Sequence, residues 1–325
     1  MTTFGYLLTG ILLLLISGTS LVRGASAIAG GLGVSPMIVG LTVVAFGTSS
    51  PELVVNLVAA FEAQPAIAFG NVVGSNIANL GLVLGAAGLF APIAMQSQLL
   101  MRELPLLLLV TSVLLILALD VPLRGEPALV DRADGLVLML LFGMFIYVTV
   151  VDVVRQRKDP LLRDVQALPV PAPPRVRPKD WFYTLAGILG LALGGHLTIT
   201  QGAELAATLG ISKAAVGIAV VAVGTSLPEL VTSVIAAVRK EPDLSVGTVV
   251  GSNLFNALLV LPAGAIITPV AIPEGGSVDL LVSLLFALAL LPIFMIGNSL
   301  LGRSAAAMLL SGYLAFIGYR MLAVG

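Results

Sequence analysis

The chain has 325 residues, of which 58% are hydrophobic and only 10% are charged, and its mean hydropathy is +1.10. These values exclude an ordinary soluble globular protein and indicate a polytopic membrane protein. The net charge of -1 implies no general attraction to nucleic acid, and a chain with no cysteine and one histidine excludes disulfides, thiolate sites and histidine-rich metal centres.

Ten apolar windows are long enough to cross the hydrocarbon core of a bilayer, which requires about 20 residues. The first resembles a secretory signal, but no basic residue precedes it and the next window follows almost at once, so we expect a retained helix. The sequence therefore predicts an all-α integral membrane protein with ten transmembrane helices. The windows lie near residues 4–22, 37–60, 66–90, 99–119, 134–154, 180–200, 213–238, 244–270, 278–297 and 302–323.

A polar, proline-rich interval at residues 155–179 divides the chain into two halves of five predicted helices, 1–154 and 180–325. Proline at this density is typical of a stiff, extended connector. With ten spans, twelve of the 16 basic residues fall on the same side as this connector. The positive-inside rule then predicts a cytoplasmic connector and outward-facing termini in a multi-pass protein of the cell (inner) membrane.

Two stretches of the chain are copies of each other. Between residues 47 and 84, 20 of 38 positions are identical to residues 224–261, at a constant offset of 177 and without a gap. Because five predicted spans separate equivalent positions, and five is an odd number, the second copy enters the membrane from the opposite side. Inverted repeats of this kind are typical of secondary transporters, whose sites lie near the midplane where the repeats meet.

Each copy carries one acidic residue inside an apolar span. Glu52 and Glu229 belong to Gly-Thr-Ser-x-Pro-Glu motifs, and each precedes an asparagine, Asn79 or Asn256, at the same distance along the chain. A charged side chain at this depth costs at least about 2.5–3.5 kcal/mol, so it needs a partner. No predicted span contains lysine or arginine at comparable depth, and the expected partner is therefore a mobile cation or a proton.

The neighbouring residues offer oxygen atoms, the ligands that hard cations prefer. Prolines 51 and 228 lack a backbone donor, so the sequence predicts that each helix unwinds beside its acid and frees backbone carbonyls. Asn76 and Asn253 are expected to hold this unwound backbone, with direct contact to the ion as the alternative. The candidate ligands are Thr48, Ser49, Glu52, Ser75 and Asn79 with the carbonyl of Ala45, and Thr225, Ser226, Glu229, Ser252 and Asn256 with the carbonyl of Ala222.

The charge of the predicted site favours a divalent ion. A carboxylate about 4 Å from a doubly charged ion attracts it by roughly 8 kcal/mol at an effective dielectric constant near 20, before dehydration is subtracted. Two carboxylates balance one Ca²⁺ or two Na⁺ ions. They would equally be neutralised by two protons.

The motif Gly-Thr-Ser-x-Pro-Glu, followed by Gly-x-x-x-Gly-Ser-Asn-x-x-Asn and present twice, resembles the alpha repeats of the cation/calcium exchanger superfamily, especially those of prokaryotic sodium/calcium exchangers. The resemblance implies alternating access, with Ca²⁺ and Na⁺ competing for one site, and it implies the same ligands except Asn256. Asn256 departs from the family pattern, because well-known sodium/calcium exchangers carry an aspartate there. The departure leaves two carboxylates and puts the coupling ratio in question.

The sequence therefore predicts a Ca²⁺/Na⁺ antiporter, with Ca²⁺/H⁺ antiport and a passive cation channel as alternatives. We expect the protein to lie in a lipid bilayer and to require no organic cofactor and no obligate protein partner. An enzyme is disfavoured because Ser49 and Ser226 have no histidine or lysine at their depth and the usual hydrolase motifs do not occur.

Overall fold

A computed structural model describes residues 2–94, 99–158, 175–208, 224–296 and 300–324. Residues 159–174 of the predicted connector, residues 213–223 of the seventh predicted span, and with them Ala222, lie outside the described residues. The first half contains α1 (Thr2–Leu32), α2 (Pro36–Val39), α3 (Ala45–Thr48), α4 (Ser50–Phe61), α5 (Pro65–Ala78), α6 (Leu84–Phe90), α7 (Leu104–Leu117), α8 (Asp120–Arg124) and α9 (Arg132–Lys158). The second half contains α10 (Pro178–Thr208), α11 (Leu227–Val238), α12 (Pro242–Phe255), α13 (Leu261–Ile267), α14 (Gly276–Ile296) and α15 (Arg303–Val324).

Short π-helical segments interrupt several of these helices. They are π1 (Gly40–Val44), π2 (Asn79–Val83), π3 (Leu99–Glu103) and π4 (Asn256–Val260). Segment π2 joins α5 to α6 and π4 joins α12 to α13, so two long helices each change their hydrogen-bonding pattern at a motif asparagine. Such π-bulges occur frequently at functional sites.

Among the described residues, seven helices are long and apolar enough to cross a membrane, and an eighth is added if one bent pair counts as a single span. That pair is Pro36–Thr48 and Ser50–Phe61, which meet at 44°. Helix α11 is apolar but shorter, and the residues that precede Gly224 are outside the described part. The helical membrane class predicted from composition is confirmed at this level.

Two helices form the centre of the bundle. The apolar windows of Pro65–Phe90 and Pro242–Ile267 are 78% buried within the protein, whereas those of the other long helices are only 17–33% buried. These central helices carry both Gly-Ser-Asn-x-x-Asn motifs. The motif asparagines therefore lie where protein, rather than lipid, surrounds the backbone.

Two short antiparallel strand pairs link the halves, which the prediction of a purely helical chain did not include. Strand β1 (Ile93–Ala94) pairs with β4 (Leu300–Leu301), and β2 (Leu129–Val130) pairs with β3 (Val270–Ala271). Each pair joins one strand of the first half to one of the second. Strands this short cannot produce an alternating pattern that sequence analysis could detect.

The internal repeat is visible in the order of elements. Helices α4, α5 and α6, segment π2 and strand β1 recur as α11, α12 and α13, segment π4 and strand β3, and the displacement along the chain is the same for each of them. Equal spacing of five elements extends the repeat beyond the identical residues. The motifs are consequently held by equivalent backbones in the two halves.

Helix α1 continues well beyond the predicted end of the first span. It does not end at Arg23, whose guanidinium lies over the ring of Tyr183 in α10, 4.9 Å from its centroid. A glycine at position 24 also allows close contact with α10, since a Cβ there would lie 2.4 Å from the hydroxyl oxygen of Thr184. Arg23 and Gly24 therefore both contribute to the contact between α1 and α10.

Candidate cation-binding site

Both motif glutamates lie in the first turn of a helix that begins beside a break. Ser49, with φ of -83° and ψ of 3°, separates α3 from α4, and Glu52 follows in the first turn of α4. Glu229 lies in the first turn of α11, which begins directly after Ser226. A carboxylate at a helix N-terminus is stabilised by the positive end of the helix dipole. Neither glutamate has any exposed surface.

Hydroxyl groups from both halves surround the carboxylate of Glu229. Ser49 of the first half and Ser252 of the second each donate a hydrogen bond of 3.2 Å to its Oε1 atom. Thr48 lies next to this pair, with its hydroxyl oxygen 3.4 Å from that of Ser252. The two Gly-Thr-Ser-x-Pro-Glu motifs, which belong to different halves of the chain, therefore meet at one place.

The equivalent surroundings of Glu52 differ. Among the described residues, neither carboxylate oxygen of Glu52 has a hydrogen-bond partner, and the same holds for the hydroxyl of Ser226, which is the counterpart of Ser49. Ser75 pairs with Thr225, at 3.0 Å between hydroxyl oxygens, as its counterpart Ser252 pairs with Thr48, but it forms no described bond to Glu52. The site is thus built from equivalent residues in an asymmetric arrangement.

The asparagines of the second motif form a reciprocal set of hydrogen bonds across the two halves. Asn76 donates to the backbone carbonyl of Asn253 at 3.4 Å, and Asn253 donates to that of Asn76 at 3.1 Å. Asn79 donates to the Oδ1 atom of Asn253 at 2.9 Å, and Asn256 donates to the Oδ1 atom of Asn76 at 3.1 Å. Exchange of this kind is the mark of a local two-fold relationship.

Six buried oxygen atoms of these motifs have no hydrogen-bond partner within the described parts of the chain. Leaving a buried polar atom unsatisfied costs about 1–3 kcal/mol, and more for a charged group. The set contains only carboxylate, hydroxyl and amide oxygens, which suits a hard cation such as Ca²⁺ or Na⁺. The atoms are Oε1 and Oε2 of Glu52, Oε2 of Glu229, Oγ of Ser226, and Oδ1 of Asn79 and Asn256.

Fixed positive charges in the described ranges lie elsewhere. Arg102 forms ion pairs with Glu103 and Asp152, and Arg320 pairs with Asp279 at 3.2 Å. None of these groups belongs to the repeated motifs. The ion pairs of the described residues therefore include neither of the two buried glutamates.

The predicted unwinding beside Glu52 is smaller than expected, and the carbonyl of Ala45 is not freed. It accepts the backbone N–H of Ser49 at 2.9 Å and the hydroxyl of Thr48 at 3.3 Å. The N–H that Pro51 lacks would have paired with the carbonyl of Gly47, one turn earlier. An ion would reach the Ala45 oxygen only in competition with Thr48. The equivalent carbonyl of Ala222 lies outside the described residues.

Two buried asparagines near Glu52 were not identified as important from the sequence. Asn71 donates to the backbone carbonyl of Glu52 at 3.1 Å. Asn56, one turn after Glu52, donates to the backbone carbonyl of Val260, the last residue of π4. Its position one turn from the acid was the available signal, because it places both side chains on one face of the helix.

Close packing of the central helices depends on Gly251. A Cβ atom there would lie 2.8 Å from the Cα atom of Leu41 and 2.7 Å from the Cβ atom of Ala45, and a backbone atom cannot move aside alone. Overpacking of this kind costs typically about 1–3 kcal/mol.

We expect Gly251→Ala to lower the temperature of thermal unfolding in detergent. Gly143→Ala is the matched control, since its Cβ would meet no described atom within 4 Å. Equal unfolding temperatures for the two variants would contradict the packing role.

Comparison with known proteins identifies the family. The sequence profile of the sodium/calcium exchanger protein family matches residues 2–151 and 179–322. The chain belongs to this family. Sodium/calcium exchanger family membership makes it a cation/Ca²⁺ antiporter by class and indicates a transporter rather than a catalytic enzyme, and the resemblance seen in the motifs is confirmed.

Individual relatives of the sodium/calcium exchanger family agree along nearly the whole chain. The putative antiporter CaxA of Alkalimonas amylolytica is 39% identical over 98% of this chain and 97% of its own length. The inner membrane protein YrbG of Escherichia coli (strain K12) is 39% identical over 87% of this chain and 86% of its own. A structure of the sodium-calcium exchanger NCX_Mj, soaked with 2.5 mM Na⁺ and 0.1 mM Ca²⁺, matches with a TM-score of 0.81 and 29% identity over 98% of both chains.

Proposed function

We propose that this protein carries Ca²⁺ across the membrane in exchange for Na⁺, by alternating access to a single site near the bilayer midplane. The observation that carries the proposal is the set of six buried, unpartnered oxygens, three of which belong to the two carboxylates, and neither carboxylate has a fixed positive partner among the described residues. An unbalanced pair of acids at this depth is costly, and binding a cation removes the cost. Sodium/calcium exchange by the structural relative NCX_Mj supports the choice of ions.

The proposed ligands are those named from the sequence, including the backbone carbonyls of Ala45 and Ala222, with different contributions. Glu52 and Glu229 supply the charge, and Asn79, Asn256 and Ser226 supply neutral oxygens that are free of hydrogen bonds within the described residues. The hydroxyls of Thr48, Ser49, Ser75, Thr225 and Ser252 are within hydrogen-bonding distance of one another or of Glu229, and they would turn their lone pairs to an ion when it binds.

The proposed architecture has ten transmembrane helices in two inverted halves, 1–154 and 180–325, joined by a cytoplasmic connector at 155–179, with both termini outside. The recurrence of five elements at one constant offset supports the repeat, and the exchange of hydrogen bonds between Asn76 and Asn253 supports a two-fold axis through the site. Placement in the inner membrane rests on the family, the apolar helices and the relative YrbG.

Flux measurements separate the proposed exchange from its alternatives. In proteoliposomes with more Ca²⁺ outside than inside, an imposed inward Na⁺ gradient should drive Ca²⁺ out against its own gradient, and an imposed inward proton gradient of equal size should not. Uphill movement driven by the pH gradient alone would identify a Ca²⁺/H⁺ antiporter, which the two-carboxylate site also permits. Strictly downhill Ca²⁺ movement under every gradient would contradict antiport and indicate a channel.

A further inference from the structure

The four motif asparagines do not have equivalent roles in the structure. Each amide of Asn76 and Asn253 uses its nitrogen and its oxygen in hydrogen bonds between the halves. Asn79 and Asn256 use only their nitrogen, and their buried Oδ1 atoms are unpartnered within the described residues. The first pair is thus fully occupied, and the second pair has one free oxygen per side chain.

The hydrogen bonds donated by the amide nitrogens of Asn79 and Asn256 determine which end of each amide is free. The two ends of an amide have almost the same shape, and rotation about the last side-chain bond exchanges oxygen for NH₂. Asn256 is held with its nitrogen on the Oδ1 atom of Asn76, and Asn79 with its nitrogen on the Oδ1 atom of Asn253. Without these acceptors, either amide could rotate and present its NH₂ group, instead of its oxygen, to a cation.

We propose that Asn76 and Asn253 are positioning residues, which fix the amides of Asn79 and Asn256 so that their oxygen, and never their nitrogen, is offered to the cation. The inference rests on the proposed function of the site. Its physical basis is preorganisation, because a ligand oxygen that is already oriented need not be reoriented when the ion binds.

The bonding pattern also gives position 256 a specific chemistry. Asn76 can present only its oxygen to residue 256, since its nitrogen is bound to the backbone carbonyl of Asn253. The amide of Asn256 donates a hydrogen bond to that oxygen. An ionised carboxylate at the same position has no donor and would place one acceptor oxygen against another. A carboxylate at 256, however, has two equivalent oxygens and needs no orientation, so it would make the positioning role of Asn76 unnecessary.

A four-protein comparison on the full-length chain tests the role of Asn76. The half-saturating Ca²⁺ concentration is measured in detergent by isothermal titration for the wild type, Asn76→Ala, Asn256→Asp and the double variant. We expect Asn76→Ala to raise it about tenfold in the wild-type background, as for loss of one hydrogen bond near a charge. In the Asn256→Asp background, Asn76→Ala should change the half-saturating Ca²⁺ concentration by less than about twofold.

A mirrored set repeats the measurement if the first set folds poorly. It consists of Asn253→Ala alone and combined with Asn79→Asp, and the same dependence on background is expected. Unfolding temperatures without Ca²⁺ report the structural cost separately. Because Asn76→Ala removes the bond to the Asn253 backbone in both backgrounds, its structural cost should be similar in both.

The outcomes are distinguishable. An equal change of Ca²⁺ affinity in both backgrounds would show that Asn76 acts through packing alone, and no change in the wild-type background would show that other contacts orient Asn256. Either result overturns the positioning role and leaves the cation site intact. Absence of Ca²⁺ binding by the wild type overturns the proposed function, and the positioning role with it.

Discussion

Replacing either buried acid by its amide, Glu52→Gln or Glu229→Gln, is expected to abolish Ca²⁺ transport and leave the protein folded. Each carboxylate contributes roughly 8 kcal/mol of attraction to a divalent ion at about 4 Å, before dehydration, so the loss of one should weaken Ca²⁺ binding more than about a thousandfold. Folding should survive because a neutral amide is less costly than a charge inside a membrane.

The measurement is Na⁺-driven Ca²⁺ uptake into proteoliposomes, with size-exclusion chromatography to show that each variant is folded. Glu62→Gln is the matched control, since Glu62 follows the last turn of α4, is exposed and contacts Gln64. Transport at the wild-type rate by Glu52→Gln or Glu229→Gln would exclude the site. Loss of transport in Glu62→Gln would show that the assay does not isolate the buried acids.

The second large effect concerns electrical charge. With Asn256 neutral, the two glutamates are balanced by one Ca²⁺ or by two Na⁺, so we expect an exchange cycle that moves no net charge. A cycle that moved one charge would gain or lose about 2.3 kcal/mol per 100 mV of membrane potential. Ca²⁺ uptake should therefore proceed at the same rate whether the potential is clamped at zero or at a negative value.

Current recordings during Ca²⁺ exchange provide the check. We expect no Na⁺-dependent current from wild-type proteoliposomes that transport Ca²⁺. The variant Asn256→Asp supplies a third acid and should admit a third Na⁺, so a current should appear with it. A robust Na⁺-dependent inward current from the wild type would contradict electroneutral exchange, since it would require more positive charge than two carboxylates balance.

The two acidic residues of the candidate site could be predicted from the sequence because a charged side chain within a membrane span costs free energy. An acidic residue within an apolar span is costly, so it indicates a functional site. The repetition of such a residue at Glu52 and Glu229, within the same motif, strengthens that indication. The neutral oxygens at Asn79 and Asn256 followed from the same repeat. Membrane class followed from composition alone, and the family from the motifs.

The remaining features depend on contacts between residues that are distant along the chain. Equivalence of Asn76 and Asn253 in the repeat does not reveal that the two side chains meet and exchange hydrogen bonds. The bond from Asn56 to the carbonyl of Val260 likewise depends on how two helices cross. The sequence predicted a helix break beside Pro51, but it did not reveal that the Ala45 carbonyl stays bonded to Ser49 and Thr48, since the N–H that Pro51 lacks concerns the carbonyl of Gly47.

Anomalous X-ray scattering from crystals grown with Ca²⁺ tests the central claim most directly. One peak is expected for each chain, within bonding distance of the carboxylates of both Glu52 and Glu229 and of the amide oxygens of Asn79 or Asn256. A peak bound to one glutamate alone, or glutamates paired with lysine or arginine and no ion between them, would contradict a single cation shared by the two halves.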